Sequence, residues 1–496
     1  MKIRLEDLMT RSGVTFGTSG ARGLAAAMSD LVCYAYTRAF LQYLQAAGEQ
    51  EPGRGAVAVA GDLRPSTARI LEAVSRAVEE TGARAIACGR IPSPAVALYG
   101  LEQRIPAIMV TGSHIPDDRN GIKFNKASGE ILKQDERGIA AQTVDVDEAM
   151  FDAAGAFRSP RSVLRAESSD AAEGYVARYL DFVGRGALKG LRVGVYQHSA
   201  VGRDLLVRVL SSLGAETVPR GRSDTFIPVD TEAIRPEDVE HARAWTREDR
   251  LDAIVSTDGD SDRPLVSDEE GRWLRGDVAG ILCARSLEAD VVCTPVSCNT
   301  AVEQCGWFKA VHRTRIGSPY VIAAMSAAAA AGANRVVGYE ANGGFLVHSN
   351  LEQDGRRLRA LPTRDAMIVI LSLLRLGRRQ GKRISELVSG LPSRSTASDR
   401  LRDFPTERSR AILARFDSGS EAADRAAIEA LLGDVSGPVK SIDRTDGLRV
   451  LFANGEILHF RPSGNAPELR CYSEADTDDR ARALTAHALG RLGAMR

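Results

Sequence analysis

Three aspartates at alternate positions, Asp258, Asp260 and Asp262 in DGDSDR, can turn three carboxylates onto one hard cation that takes oxygen ligands. Their mutual repulsion makes such a cluster costly without a cation. An EF-hand competes for the pattern, because Glu269 falls at loop position twelve. Arg263 stands at position six, where that loop needs glycine, Pro264 follows, and a strand pattern leads in. Magnesium therefore fits better than calcium, and a solvated acidic turn is the bland alternative.

Three further stretches carry chemistry. In IMVTGSHIPDDRNGIKF, from Ile108 to Phe124, an apolar strand ends in Ser113 and His114. Neighbouring side chains of an extended segment point to opposite faces, so the two are not expected to pair. A hydrolase elbow also needs glycine two residues after its serine, and Ile115 stands there. In GYEANGGF, Glu340 accepts while Asn342 both donates and accepts, a combination that suits the hydroxyl pairs of a sugar. An ordinary glycine-rich turn would read the same way. In RPSGNAPELR, Arg461, Ser463, Asn465 and Arg470 gather around Gly464, and two guanidinium groups with glycine-turn amides suit a phosphate dianion. Incidental surface arginines are the alternative there. Together the four stretches suggest an anionic sugar, a divalent cation and a serine able to carry a group.

The elements that must position them alternate between strand and helix. GAVAVAGD reads as a buried strand, PSTARILEAVSRAVEETG as a helix and RIPAIMVTGSH as a later strand. The pattern returns with LRVGVYQHSA, GRDLLVRVLSSLG, PEDVEHARAWTRED and LDAIVSTDGDSD, and again with ADVVCTPVSC, SPYVIAAMSAAAAAGA and NRVVGYEANGG. Each time a strand runs straight into a polar loop, and in α/β sheets ligands gather beyond the carboxyl ends of strands. The last hundred or so residues differ: DGLRVLFANGEILHF reads as two strands joined by an Asn-Gly turn, before a terminal amphipathic helix. The expected fold class is α/β, with three similar α/β domains bearing mixed sheets and a smaller C-terminal α+β domain around one central cleft. The expected spans are 1–165 with the serine loop, 166–275 with the metal loop, 276–385 with the sugar loop and 386–496 with the phosphate loop.

At 496 residues the chain is too long for one ordinary core. Its 65 basic and 65 acidic residues balance, so neither nucleic acid nor an anionic membrane is the expected partner. MKIRLEDLMTRSG has no apolar core, no run is long enough to span a bilayer, and a cytoplasmic location is expected. Seven cysteines without a CxxC pair read as buried thiols rather than a disulfide or zinc framework.

In their order along the chain, T-G-S-H-I-P with N-G-I-K, D-G-D-S-D-R, E-A-N-G-G and R-P-S-G-N-A-P with Arg470 resemble the motif set of the α-D-phosphohexomutase family. FGTSGARG from Phe16 to Gly23, GDLRPS and PSP extend the likeness over effectively the whole chain. The resemblance implies an isomerase that moves phosphate between C6 and C1 of a hexose. By it, Ser113 is a phosphoserine that passes its phosphoryl group to a hexose monophosphate through a hexose 1,6-bisphosphate, which also serves as activator. It further implies Mg2+ held by Asp258, Asp260, Asp262 and a Ser113 phosphoryl oxygen, and cations Lys123, Arg22 and Arg263 at the reacting groups. Glu340 and Asn342 would bind ring hydroxyls, the phosphate loop would hold the resting phosphate, and His114 would shape the serine loop or touch substrate. The TGSH form favours mannose phosphates, with glucose phosphates as second substrates; a member acting mainly on glucose phosphates or on both sugars is the alternative, and one acting on glucosamine phosphates is less favoured. Asn342 and Gly344 depart from the family's sugar loop, where serine and histidine are usual, which leaves the proton carrier open between Lys123 and a group such as His348. Two readings compete: a magnesium-dependent phosphatase, and a non-enzymatic sugar-phosphate-binding regulator, which would be expected to have lost Ser113 or an aspartate. Oligomeric state is not legible.

Overall fold

The computed structural model describes residues 1–17, 20–50, 55–159, 167–463 and 467–495. Three of its sheets share one construction. In the first, Ala56–Gly61 pairs in parallel with Arg84–Gly89 on one side and Ala107–Val110 on the other, and Arg119–Lys126 returns antiparallel beside Ala107–Val110. The second repeats this with Arg192–His198 between Glu216–Arg222 and Ala253–Thr257, and Pro264–Val266 as the antiparallel return. The third uses Val291–Pro295 between Ala310–Thr314 and Val336–Tyr339, returned by Phe345–Val347. Mixed sheets in three similar units are thus what the structure contains.

The sequence dictates which strands lie inside. Ala107–Val110, Ala253–Thr257 and Val336–Tyr339 are buried at every position, as near-continuous apolar runs covered by helices on both faces should be. Glu216–Arg222 carries Pro219 and charged residues, and it lies at a sheet edge. In each unit the third strand is fully buried and the chain reverses directly after it. That reversal produces residues 111–118, 258–263 and 340–344, so the three chemistry-bearing loops occupy the same topological position.

The helices expected from sequence form at Thr67–Glu79, Arg203–Ser212, Pro236–Asp249 and Ser318–Ala330. Helices Gly276–Ser286 and Ala366–Gln380 pack in one core that also takes in Ala58, Met109, Val193 and Leu387, so apolar contact is continuous through the first three units. The last unit has its own core around Phe404, Phe452, Phe460 and Leu484, under an antiparallel sheet ordered Ser395–Leu401, Leu469–Ala475, Ile457–Pro462, Leu448–Phe452 and Val439–Asp443. Leu448–Phe452 alternates between buried and half-buried positions, and its hairpin turns at Asn454-Gly455 with Gly455 at φ +86°. All seven cysteines are free thiols, six of them buried. Among the described residues no helix is long and apolar enough to cross a membrane.

Candidate active site

The serine loop is held from inside. Arg64, with its side chain fully buried, pairs with Asp62 at 3.1 Å and donates to the carbonyls of Ser113 (2.8 Å), Ile115 (2.5 Å), Pro116 (2.6 Å) and Arg119 (3.0 Å). A planar guanidinium fork suits that task, because a buried loop otherwise leaves its carbonyls without partners. Thr111 Oγ1 accepts from the Ser113 amide at 2.8 Å and donates to Asp62 Oδ2 at 2.7 Å. So held, Ser113 sits at φ +56°, outside the extended region. The expectation that Ser113 and His114 point apart therefore fails: Ser113 Oγ lies 3.4 Å from His114 Nδ1. Burial, with Arg263 and Arg22 beside it, drives the His114 imidazole far below its usual pKa, so the ring is neutral.

Ser113 Oγ donates to Asp258 Oδ2 at 2.6 Å, which joins the serine loop to the metal loop. Gly259 makes the approach feasible, because a Cβ there would fall 2.7 Å from the Ser113 carbonyl oxygen. Asp258, Asp260 and Asp262 converge with one carboxylate oxygen each inside 4.8 Å of the others, all buried. Asp258 Oδ1 accepts the amides of Asp262 and Arg263 at 3.2 Å. Burial and the charges of Asp260 and Asp262 raise the Asp258 carboxyl well above the ordinary range. Lys123 Nζ lies 2.6 Å from both Asp260 Oδ2 and Asp262 Oδ2, and Ser93 Oγ donates to Asp260 Oδ2 at 2.6 Å. Burial alone would raise Asp260, but the Lys123 ammonium holds it below its usual value. Asp260 Oδ1 and Asp262 Oδ1 remain buried without a hydrogen-bond partner. Orphaned carboxylate oxygens in a tight all-oxygen cluster fit a hard divalent cation.

A cavity of about 280 Å³ opens beside this cluster, small but suited to a hexose phosphate. Arg22, His114, Arg263 and Arg364 line it from around the metal loop, Glu340 and Asn342 from the sugar loop, and Arg461, Ser463 and Arg470 from the last domain. All four units thus contribute to one cleft. Arg22 Nε and Arg263 Nε are buried without hydrogen-bond partners, although Arg263 Nε lies 3.8 Å from Asp262 Oδ1 and 4.0 Å from Asp258 Oδ2, and burial plus the charges of Arg263 and Arg364 hold Arg22 down to about 10. Guanidinium groups that repel one another await an anion. Asn342 Oδ1 accepts from the Gly344 amide at 2.9 Å, and its carbonyl accepts from Thr231 Oγ1 at 2.7 Å, so part of the amide's capacity is spent on fixing its own loop. Arg461 pairs with Asp446 at 3.1 Å and Arg470 with Glu468 at 3.4 Å, while Arg470 Nε is buried without a partner. Gly464 and Asn465 lie outside the described residues, as do Thr18 and Ser19 of the opening motif.

The structure separates two residues from the cavity wall. Lys123 lies among the metal-loop carboxylates. His348 pairs its amide with the Val336 carbonyl at 3.1 Å, at the end of that strand remote from the sugar loop, which removes it as a proton carrier. Four positions at the site carry no assignment from sequence. Arg64 belongs to GDLRPS; its signal is an arginine two residues after an aspartate at a buried strand's end. Arg364 and Glu232, both cavity-lining, sit in no local pattern, whereas Tyr472, also cavity-lining, follows Arg470 by two on the strand Leu469–Ala475.

Known proteins align with this chain throughout. The family descriptions matched are Phosphoglucomutase/phosphomannomutase alpha/beta/alpha domain I at residues 13–150, domain II at 173–271, domain III at 275–395 and the C-terminal domain at 414–489. A phosphomannomutase of Salmonella muenchen is 44% identical over 475 residues, which cover 96% of this chain and 95% of that protein. A phosphomannomutase of Sinorhizobium fredii is 44% identical over 480 residues, covering 97% and 99%. The crystal structure of a phosphoglucomutase/phosphomannomutase family protein from Burkholderia thailandensis superposes with a TM-score of 0.70 at 20% identity, covering 96% of this chain and 97% of that one.

Proposed function

The chain belongs to the phosphoglucomutase/phosphomannomutase family, and from that premise we propose that it is a phosphomannomutase interconverting mannose 6-phosphate and mannose 1-phosphate, with glucose phosphates as second substrates. It is an isomerase that works by phosphoryl transfer. The observation that carries the mechanism is Ser113 Oγ at 2.6 Å from Asp258, inside a carboxylate cluster and beside a cationic cavity.

Ser113 in its phosphorylated form donates to the hexose monophosphate. The P–Oγ bond breaks as a bond forms from phosphorus to the free sugar hydroxyl, whose proton ends on the released Ser113 Oγ, and a hexose 1,6-bisphosphate results. After the sugar reorients, its other phosphate returns to Ser113 Oγ and the isomeric monophosphate leaves. Asp258, Asp260 and Asp262 would hold Mg2+, which supplies Lewis-acid withdrawal of charge from the transferring group. Lys123 balances the charge of Asp260 and Asp262, and Arg22 and Arg263 face the phosphoryl oxygens. His114, neutral and 3.4 Å from Ser113 Oγ, orients that oxygen. Glu340 and Asn342 bind ring hydroxyls, with Glu232 as a further acceptor open to the cavity. Arg461, Ser463 and Arg470, with Gly464 and Asn465, hold the phosphate that is not reacting.

The test compares mannose 1-phosphate, glucose 1-phosphate and glucosamine 1-phosphate with Mg2+ and a trace of glucose 1,6-bisphosphate, for wild type and Ser113→Ala. A kcat/KM preference for mannose that collapses in the variant is expected. Preference for another sugar overturns the substrate, and conversion of none overturns the mutase. Phosphate released in step with sugar consumption would make the enzyme a phosphatase instead.

A further inference from the structure

Three consecutive residues, Thr363, Arg364 and Asp365, each anchor a different part of the molecule. Thr363 Oγ1 donates to Glu130 of the first unit, whose other oxygen accepts from Ser318 Oγ at 3.1 Å. Asp365 accepts from Tyr175 at 2.6 Å and from Tyr179, on the helix Asp170–Val183, and its carboxylate also caps Met367 at 3.0 Å. Between these anchors, the Arg364 side chain is 3% exposed, with Nη2 at 3.0 Å from Asp262 Oδ2 and Nη1 at 3.4 Å from Glu340 Oε2. One guanidinium thus spans the metal loop and the sugar loop.

The sugar loop is shaped around that side chain. A Cβ at Gly344 would fall 2.6 Å from Arg364 Cδ and 2.7 Å from Cγ, in both cases against the stem rather than the mobile tip. Gly344 is not among the glycines with positive φ. Its φ therefore does not demand glycine, and the arginine stem, with Asn342 Oδ1 at 3.0 Å as the next neighbour, is the closest obstacle to a side chain there.

We propose that Arg364 is a positioning residue that sets two affinities in opposite directions. It fixes the Glu340 carboxylate for the hexose hydroxyls, and by engaging Asp262 Oδ2 it weakens the hold of the aspartate cluster on a divalent cation. A positive charge 3.0 Å from a cation ligand opposes the cation, while a fixed acceptor spares the sugar the cost of ordering it. This rests on the site reading under Proposed function.

The experiment measures mannose 1-phosphate binding by calorimetry on EDTA-treated protein, and divalent-cation binding separately by Mn2+ paramagnetic titration. For Arg364→Met, hexose phosphate affinity falls about tenfold while Mn2+ binds several-fold tighter; general damage would weaken both. Gly344→Ala keeps the charge but displaces the stem, so it weakens the hexose phosphate several-fold with little change for Mn2+, and it serves if Arg364→Met does not fold. Added to Glu340→Gln, Arg364→Met costs little further for the hexose phosphate, because both act through one carboxylate. Losses of both affinities together, or of neither in either variant, overturn the inference. Wild type binding neither ligand would instead overturn the proposed function.

Discussion

The metal loop and the phosphate hairpin are both short reversals between strands, yet they are built oppositely. Every aspartate of the metal loop is buried, and its partners come from its own amides, Ser113, Ser93, Lys123 and Arg364. Arg461 and Arg470 are half-buried, each ion-paired with a carboxylate of its own domain, on a sheet with a separate core. The contrast teaches a division of labour. On the proposed roles, the groups around the transferring phosphoryl would be fixed before substrate arrives, whereas the clamp would complete itself on the ligand.

Substitutions can break that contrast, and the largest effect belongs to the carrier. Ser113→Ala removes the oxygen that takes and returns phosphate, and turnover falls by about 10⁴-fold or more, read as hexose 6-phosphate formed per enzyme. Asp260→Asn should lower kcat by about 10² to 10³-fold with a smaller change in KM, and EDTA should abolish wild-type activity until Mg2+ is restored. Arg470→Gln, by contrast, should raise KM for hexose monophosphate roughly 10- to 100-fold and leave kcat within a few-fold, since a charge-assisted contact to phosphate contributes about 1.5–3 kcal/mol. If Arg470→Gln lowered kcat as far as Asp260→Asn, the division would be false.

The smallest expected effect is on stability in acid. His459 is buried on the first strand of the hairpin, stacked 5.4 Å from Tyr472, and burial holds its pKa at about 4. Its folded form stays neutral while the unfolded chain takes up a proton below about 6.5, so the stability present above that pH is lost as pH falls towards 4. The loss reaches roughly 3 kcal/mol at most. Urea midpoints for wild type and His459→Gln between pH 7.5 and 4 check it: the variant should show the shallower dependence.

What the sequence disclosed depended on distance along the chain. Asp258, Asp260 and Asp262 could be read because DGDSDR supplies its own convergence, and the Asn454-Gly455 hairpin because turn chemistry is local. The three α/β units showed in their strand-to-loop pattern, but their shared strand order did not, since pairing partners lie in separate strands. Lys123 reaches carboxylates 137 and 139 residues away, and no local pattern carries such a contact. Arg364 was silent for the same reason. Ser113 and His114 misled for another: the apolar run implied an extended backbone, and Arg64, working from a different segment, bends the loop to φ +56°.

The central claim is that phosphate passes from Ser113 to the sugar and not to water. Enzyme labelled with ³²P at Ser113 would be mixed in a single turnover with excess mannose 1-phosphate and Mg2+. The account predicts that the label leaves Ser113 and appears on hexose bisphosphate and monophosphate, with inorganic phosphate at background. Label recovered mainly as inorganic phosphate, or retained on the protein, would contradict it.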